Sequence, residues 1–170
     1  ALEQAKTLLD GGDAEQASTI YAQVLSQDQA NGAAIGGLIR CYLATGEIDH
    51  AKAMIEGLEE SALKDSDVQA AISALELVEA GAASGDGDEF RSLLIANEND
   101  HQARFDLALC LYSAGKAEEA LEELLEIVRR DRTWNEEAAR TQMLKIFEAL
   151  GAGDAITMAA RRALSTILFS

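Results

Sequence analysis

Apolar residues recur along this chain at intervals of three and four, and the stretches they mark are separated by glycines and short polar pairs. That period marks amphipathic helices, each with one face against a core. The first predicted helix covers about 1–10 and stops at Gly11 and Gly12. The second starts behind Asp13, a suitable N-cap, and runs to about 27. A third covers 31–45, with Ile35, Leu38, Ile39, Tyr42 and Leu43 apolar, and a fourth follows Gly46 over about 48–60. Asp65 or Ser66 caps a fifth, about 67–80, which is expected to end at Gly81. Residues 81–87 read as a flexible, glycine-rich break before a short helix of about 88–96. Helices over 100–114, 117–130, 134–150 and 154–169 bring the expected number to ten, and nothing reads as a strand.

The pattern also repeats. Gly12, Ala17, Tyr21 and Val24 return 34 residues later as Gly46, Ala51, Ile55 and Leu58, and Leu9 returns as Leu43. Gly115, Ala120, Leu124 and Ile127 form a third set 69 residues after the second, one more than twice the period. A glycine that ends one helix, followed by a small residue one turn into the next, suits two antiparallel helices packed closely. Short helices joined by brief connections then predict an all-α fold, an α-solenoid of antiparallel helix pairs.

Composition narrows the function classes. Of 170 residues, 48% are hydrophobic and 26% charged, a balance that folds. Only 5% are aromatic and none is proline, which argues against a sandwich or barrel. The net charge of -16 makes nucleic acid and anionic membrane poor partners. No apolar run is long enough for a transmembrane helix. The charge is uneven: residues 1–100 hold 19 acids and 5 bases, whereas 101–170 hold 11 acids and 9 bases, mostly arginine.

Candidate chemistry is sparse. Cys41 and Cys110 occupy equivalent repeat positions five residues before Gly46 and Gly115, so buried, unbonded thiols are expected, with a mixed disulfide to a client as the functional alternative. His50 and His101 lack a second His or Cys at ligand spacing. The run Asp86-Gly87-Asp88-Glu89 hints at a calcium loop, but its twelfth position is Asn97 where a bidentate glutamate is needed, so the run is expected to cap a helix. The glycine pairs follow no strand, as a phosphate loop would require, and the glutamate pairs Glu118-Glu119 and Glu122-Glu123 are expected on a solvent face. These observations give no cofactor, no metal and no catalytic constellation, and the chain is expected not to be an enzyme.

The 34-residue period, with alanine five residues after glycine and Tyr42 at a position where an aromatic is preferred, resembles the tetratricopeptide repeat. Gln29, Leu63 and Arg132 stand where that repeat usually has a helix-ending proline, and Phe90 replaces the alanine after Gly85. The pattern is carried by 1–60 and 100–130 and is degenerate between them. The expected organisation is repeats over 1–65, a degenerate helix pair over 66–98, and a repeat with a helical cap over 99–170, in one continuous array. At the carboxyl end, Trp134-Asn135-Glu136-Glu137-Ala138-Ala139-Arg140, Met143 to Phe147, Leu150-Gly151, Arg161 to Ser165 and Ile167 to Phe169 closely resemble the tail of thioredoxin-like bacterial proteins that carry such repeats. Ala155-Ile156 departs from that family, which commonly has a proline after the aspartate.

The resemblance implies a cytoplasmic co-chaperone or chaperedoxin in redox homeostasis and stress protection, whose thioredoxin-fold domain precedes this region and is absent here. Its implied partners are unfolded or oxidised client proteins and the chaperonin; self-association stays open. The alternative is a structural scaffold or dimerisation module that positions a redox domain. In such repeats the first helix of each pair lines a concave groove, which places Lys6, Leu9, Arg40, Phe105, Leu109 and Tyr112 at a protein-binding surface. With only Lys6 and Arg40 basic, that groove is unlike a carboxylate clamp and suits a helical or extended apolar segment. In the last helix a buried stripe is expected through Ile156, Ala159 or Ala160, Ala163 and Ile167. Arg161, Arg162, Leu168 and Phe169 form a candidate partner-docking tip, since aromatic residues and arginine are enriched at interface hot spots.

Overall fold

Side chains chosen by the sequence start most of the helices. Asp13, Asn31, Asp86, Asp100 and Asp154 each accept a hydrogen bond from a backbone N–H of the first turn, at 2.8–3.0 Å. Asp65 does the same for the N–H of Asp67 at 2.9 Å. The computed structural model describes residues 1–170 and contains helices only. They are α1 (Leu2–Asp10), α2 (Ala14–Gln27), α3 (Gly32–Thr45), α4 (Ile48–Glu56), α5 (Glu60–Leu63), α6 (Ser66–Ser84), α7 (Gly87–Ala96), α8 (His101–Ser113), α9 (Ala117–Arg130), α10 (Trp134–Leu150) and α11 (Ala155–Leu168). Residues 1–75 and 76–170 form two compact units, each built of helix pairs of the solenoid kind.

The repeated positions behave alike. Gly12, Gly46 and Gly115 have φ of +90°, +78° and +81° with open space around them, so the left-handed backbone of the turn, and not crowding, is what calls for glycine. The alanine five residues on is fully buried each time, at Ala17, Ala51 and Ala120. In the first unit α2 packs on α1 and α3 around Ala5, Ala17, Tyr21, Ala34 and Cys41. Beside them, Ile35, Ile39, Ala51, Val68 and Ala71 form a second cluster. In the second unit α9 is central, packing against α8, α10 and α11. It buries Ala120, Leu121, Leu124, Leu125, Ile127 and Val128.

Four expectations need correction. The helices number eleven and not ten, because the fourth ends at Glu56 and a one-turn helix, α5, follows. Gly81 does not end a helix: α6 continues to Ser84, and the break expected over 81–87 shrinks to Gly85 and Asp86 between α6 and α7. Gly81 is buried because α8 lies against it. A Cβ there would stand 2.4 Å from the Leu109 carbonyl oxygen and 2.3 Å from Ser113 Cβ. In α11 the buried stripe is Thr157, Ala160 and Leu164, with Ile156, Ala163 and Ile167 flanking it half-buried. Finally, Glu123 is turned inward to Arg104 and does not lie on a solvent face.

One stretch of backbone runs against its sequence. Asn135, Glu136 and Glu137 at the start of α10 have φ of 47°, 55° and 61°, so right-handed helix begins only at Ala138. Left-handed residues with a Cβ cost roughly 1–2 kcal/mol each.

A glycine inside a helix normally costs about 1 kcal/mol against alanine, and two buried ones here reverse that sign. Gly36→Ala would set a Cβ 2.6 Å from the Asp67 carbonyl oxygen, and Gly81→Ala meets Leu109 as described. Each substitution should lower stability by about 1–3 kcal/mol through overpacking, seen as a lower thermal midpoint. Thr157→Val should do the opposite. The Thr157 hydroxyl is fully buried with no partner, and removing it should raise stability by about 1 kcal/mol in the same melt.

Candidate functional site

Helix α8 turns its small and aliphatic face, Ala103, Leu107, Ala108 and Leu111, into the core. That leaves Phe105, Leu109 and Tyr112 half-buried along another side at helical spacing. Asp106 lies next to this row and accepts a hydrogen bond from Gln102 Nε2 at 3.0 Å. Partial burial pushes its carboxyl above the usual range, aided by Asp100 and opposed by the Gln102 bond.

The row is not open along its whole length. Trp134 packs its indole against Phe105, ring centroids 5.7 Å apart, and against His101 at 6.0 Å and 65°. His101 Nδ1 is buried in this cluster without a hydrogen-bond partner. The three groove residues expected in the first unit are carried by two helices, α1 and α3. Lys6 is exposed on α1 and Leu9 is half-buried against the Ala5 and Ala17 core, while Arg40 is half-buried on α3.

At the candidate tip the four residues divide. Phe169 is 84% exposed, Arg162 is exposed and Leu168 is half-buried. Arg161 already has an intramolecular partner, its guanidinium standing 5.5 Å from the ring centroid of buried Phe147. Arg132 Nη2 donates to the Ile167 carbonyl at 3.3 Å, tying the chain end to the α9–α10 turn.

The sequence reading missed a charged network on α8 and α9. Arg104, whose side chain is only 12% exposed, donates to Glu123 at 2.8 Å and to the Glu98 carbonyl at 2.9 Å. Arg130 binds Glu126 at 2.7 Å, Asn99 at 2.9 Å and Glu98 at 3.1 Å. Hydrogen bonds from Arg130 and then Arg129 hold the Glu126 carboxyl below its usual range. The i, i+4 spacing of Glu126 and Arg130 was a visible signal; the pairs that bridge 19 and 32 residues had none. Each arginine has its acid, while Arg104 Nε is buried without a partner.

Both cysteines are free. Cys41 is 1% exposed, and burial pushes its thiol up to about 11. Cys110 is half-buried, with its sulfur 3.1 Å from Ser84 Oγ and 3.3 Å from the Gly85 carbonyl oxygen. His50 pairs with Glu47 at 2.7 Å. No group of three or more His, Cys, Asp or Glu side chains is placed to hold a metal ion, and no helix is long and apolar enough to cross a membrane.

Comparison with known proteins gives the following. A family profile described as tetratricopeptide repeat matches residues 80–169, and a second of the same description matches 8–75. No curated protein matches the chain. Among solved structures, a crystal structure of a domain from a Vibrio parahaemolyticus protein of unknown function is similar, at 27% identity and a TM-score of 0.48, over 99% of this chain and 98% of that one.

The two thiols should differ in reactivity. Disulfide reagents at pH 8 should label Cys110 well before Cys41, because the thiolate is the nucleophile and burial opposes its formation at Cys41. Burial also sets a pH dependence. The unfolded thiol ionises near its ordinary 9.0 and the folded one near about 11, so stability supplied by the neutral buried form is present below pH 9. It should fall as pH rises from 9 to 11, and Cys41→Ala should flatten that fall in denaturant titrations.

Proposed function

The chain belongs to the tetratricopeptide repeat family, and from that premise we propose that it is a non-catalytic protein-binding module. Repeats of this family suggest protein partners. The finer reading is that the module captures unfolded or oxidised clients, or docks to a chaperone, within a cytoplasmic thioredoxin-like protein of redox homeostasis and stress protection. The observation that carries the binding role is the row Phe105, Leu109 and Tyr112 on α8, kept half-buried while the opposite face of the same helix is fully packed. An apolar row edged by the Asp106 carboxyl suits an apolar segment carrying a basic residue. Exposed Phe169 and exposed Arg162, both in the carboxyl-terminal segment, offer a second point of attachment in the same unit.

Aggregation of a chemically unfolded client, followed by light scattering, tests this. The chain should suppress it at stoichiometric amounts. Leu109→Ser with Tyr112→Ser should weaken suppression about tenfold or more, in keeping with loss of two central contacts, while circular dichroism shows the fold retained. Removal of Leu168 and Phe169 should matter only where the tip takes part. If the wild-type chain neither suppresses aggregation nor retains a client, the scaffold reading replaces this one.

A further inference from the structure

The start of α10 combines three features that ordinary packing leaves unexplained. Asn135, Glu136 and Glu137 are all left-handed. Asn135 tolerates that region, but the two glutamates do not ask for it: in a first turn they favour a right-handed helix, both by propensity and by their position at the positive end of the helix dipole. The side chain just before them, Trp134, lies against His101 and Phe105 of α8. And His101 Nδ1, inside that contact, has no partner.

These features share one cause. The body of α10 is fixed by Ala139, Met143, Ile146 and Phe147, all buried. On the other side, the turn from α9 is fixed by Asp131, whose carboxylate accepts from Thr133 N and Oγ1 at 3.2 and 3.0 Å. Between these anchors a right-handed first turn would aim the Trp134 indole elsewhere, so the left-handed turn is what the ring contact imposes. The closed arrangement therefore carries two costs, a left-handed backbone and an unmet imidazole nitrogen. It is offset by burial of three rings against one another. Rewinding 135–137 into right-handed helix would relieve the backbone cost, and departure of the indole with it would expose His101 Nδ1 and Phe105 to water.

We infer that Trp134 is a self-ligand of the α8 face, a strained latch that closes part of the proposed binding row and opens when residues 135–137 rewind into right-handed helix. The consequence for binding rests on the reading of α8 as the protein-binding face. The present occupant also defines what competes for the seat: an aromatic side chain on the partner segment, taking the place of the indole against Phe105 and His101. Such a partner must supply the free energy of opening, and its apparent affinity is set by the fraction of open latch.

Trp134 is the sole tryptophan, so its fluorescence reports the latch directly. Two variants push the equilibrium in opposite directions. Asn135, Glu136 and Glu137 all replaced by glycine relieves the left-handed cost and should hold the latch shut. Glu136→Val, β-branched at a positive φ, should open it. With acrylamide as quencher, the quenching constant should fall about twofold in the glycine variant and rise about twofold in Glu136→Val, as the closed and open populations shift. The glycine variant should also keep or raise the thermal midpoint, where three glycines in a right-handed first turn would lower it. N-acetyl-tryptophanamide, followed by NMR line broadening, should bind Glu136→Val about fivefold more tightly than wild type and the glycine variant more weakly.

An unchanged quenching constant, or a glycine variant with a lowered midpoint, overturns the latch. Equal probe affinity in all three proteins also overturns it while leaving the α8 binding face intact. Quenching that moves as expected, with the probe bound by none of them, supports the latch and removes α8 as the binding face. Should Glu136→Val fail to fold, the glycine variant and wild type alone decide between these outcomes.

Discussion

Close approach between neighbouring helices is the constraint on which the rest of this structure depends. With aromatics scarce and alanine and glycine frequent, the chain builds its interior by bringing helix backbones together and not by filling space with large rings. Ala17, Ala51 and Ala120 sit at the crossing of each repeated pair with no exposed surface, each set five residues after a glycine that can turn left-handed. Gly36 and Gly81 carry the same logic further, since even a methyl group there meets a backbone carbonyl of the facing helix. A carbonyl on a packed helix cannot rotate aside as a flexible side chain can. These contacts therefore set where the next helix lies, and hence which of its faces is left for partners.

Helix α8 shows the consequence. Its core face is taken by Ala103, Leu107, Ala108 and Leu111, its amino end is capped by Asp100, and Arg104 is drawn to Glu123 of α9 and to the Glu98 carbonyl. Two sides of the helix are thus committed to structure. The Arg104–Glu123 pair is the costly kind to break, because without Glu123 the mostly buried Arg104 guanidinium keeps only the Glu98 carbonyl. Phe105, Leu109 and Tyr112, with Asp106 at their edge, lie away from these two sides and are only half-buried, Phe105 being packed in part by Trp134.

Much of this was legible in the sequence. The recurring glycine and alanine, 34 and then 69 residues apart, marked the turns and crossings of three helix pairs, and Asp13, Asp65 and the Asp86 run marked caps, because both signals act within a single turn of chain; the Asn31 and Asp100 caps were not marked. Gly81 was misread because a glycine that ends a helix and one that admits a neighbour look alike locally; only the position of Leu109 and Ser113 separates them. In α11 the expected Ile156 and Ala163 give way to Thr157 and Leu164 one residue on, because a residue that is polar by type, Thr157, is fully buried. Glu123 was read as a solvent residue because its partner lies 19 positions away on another helix. Of the ten candidate site residues, Phe105, Leu109 and Tyr112 share one helical row. Arg161 is held over Phe147, a contact whose two members no local spacing connects.

The left-handed turn at 135–137 is the feature least accessible to sequence reasoning, and the reason is physical. Local preference and tertiary contact disagree there, and the contact wins. Such a conflict persists only where each side is held by something stronger than the strain between them, here the buried body of α10 and the ring cluster on α8. In a repeat fold, helices are coupled chiefly to their neighbours, so strain of this kind stays where it arises. A module whose contacts are mostly local can thus hold one disputed turn, coupled through Trp134 to the His101 and Phe105 end of α8.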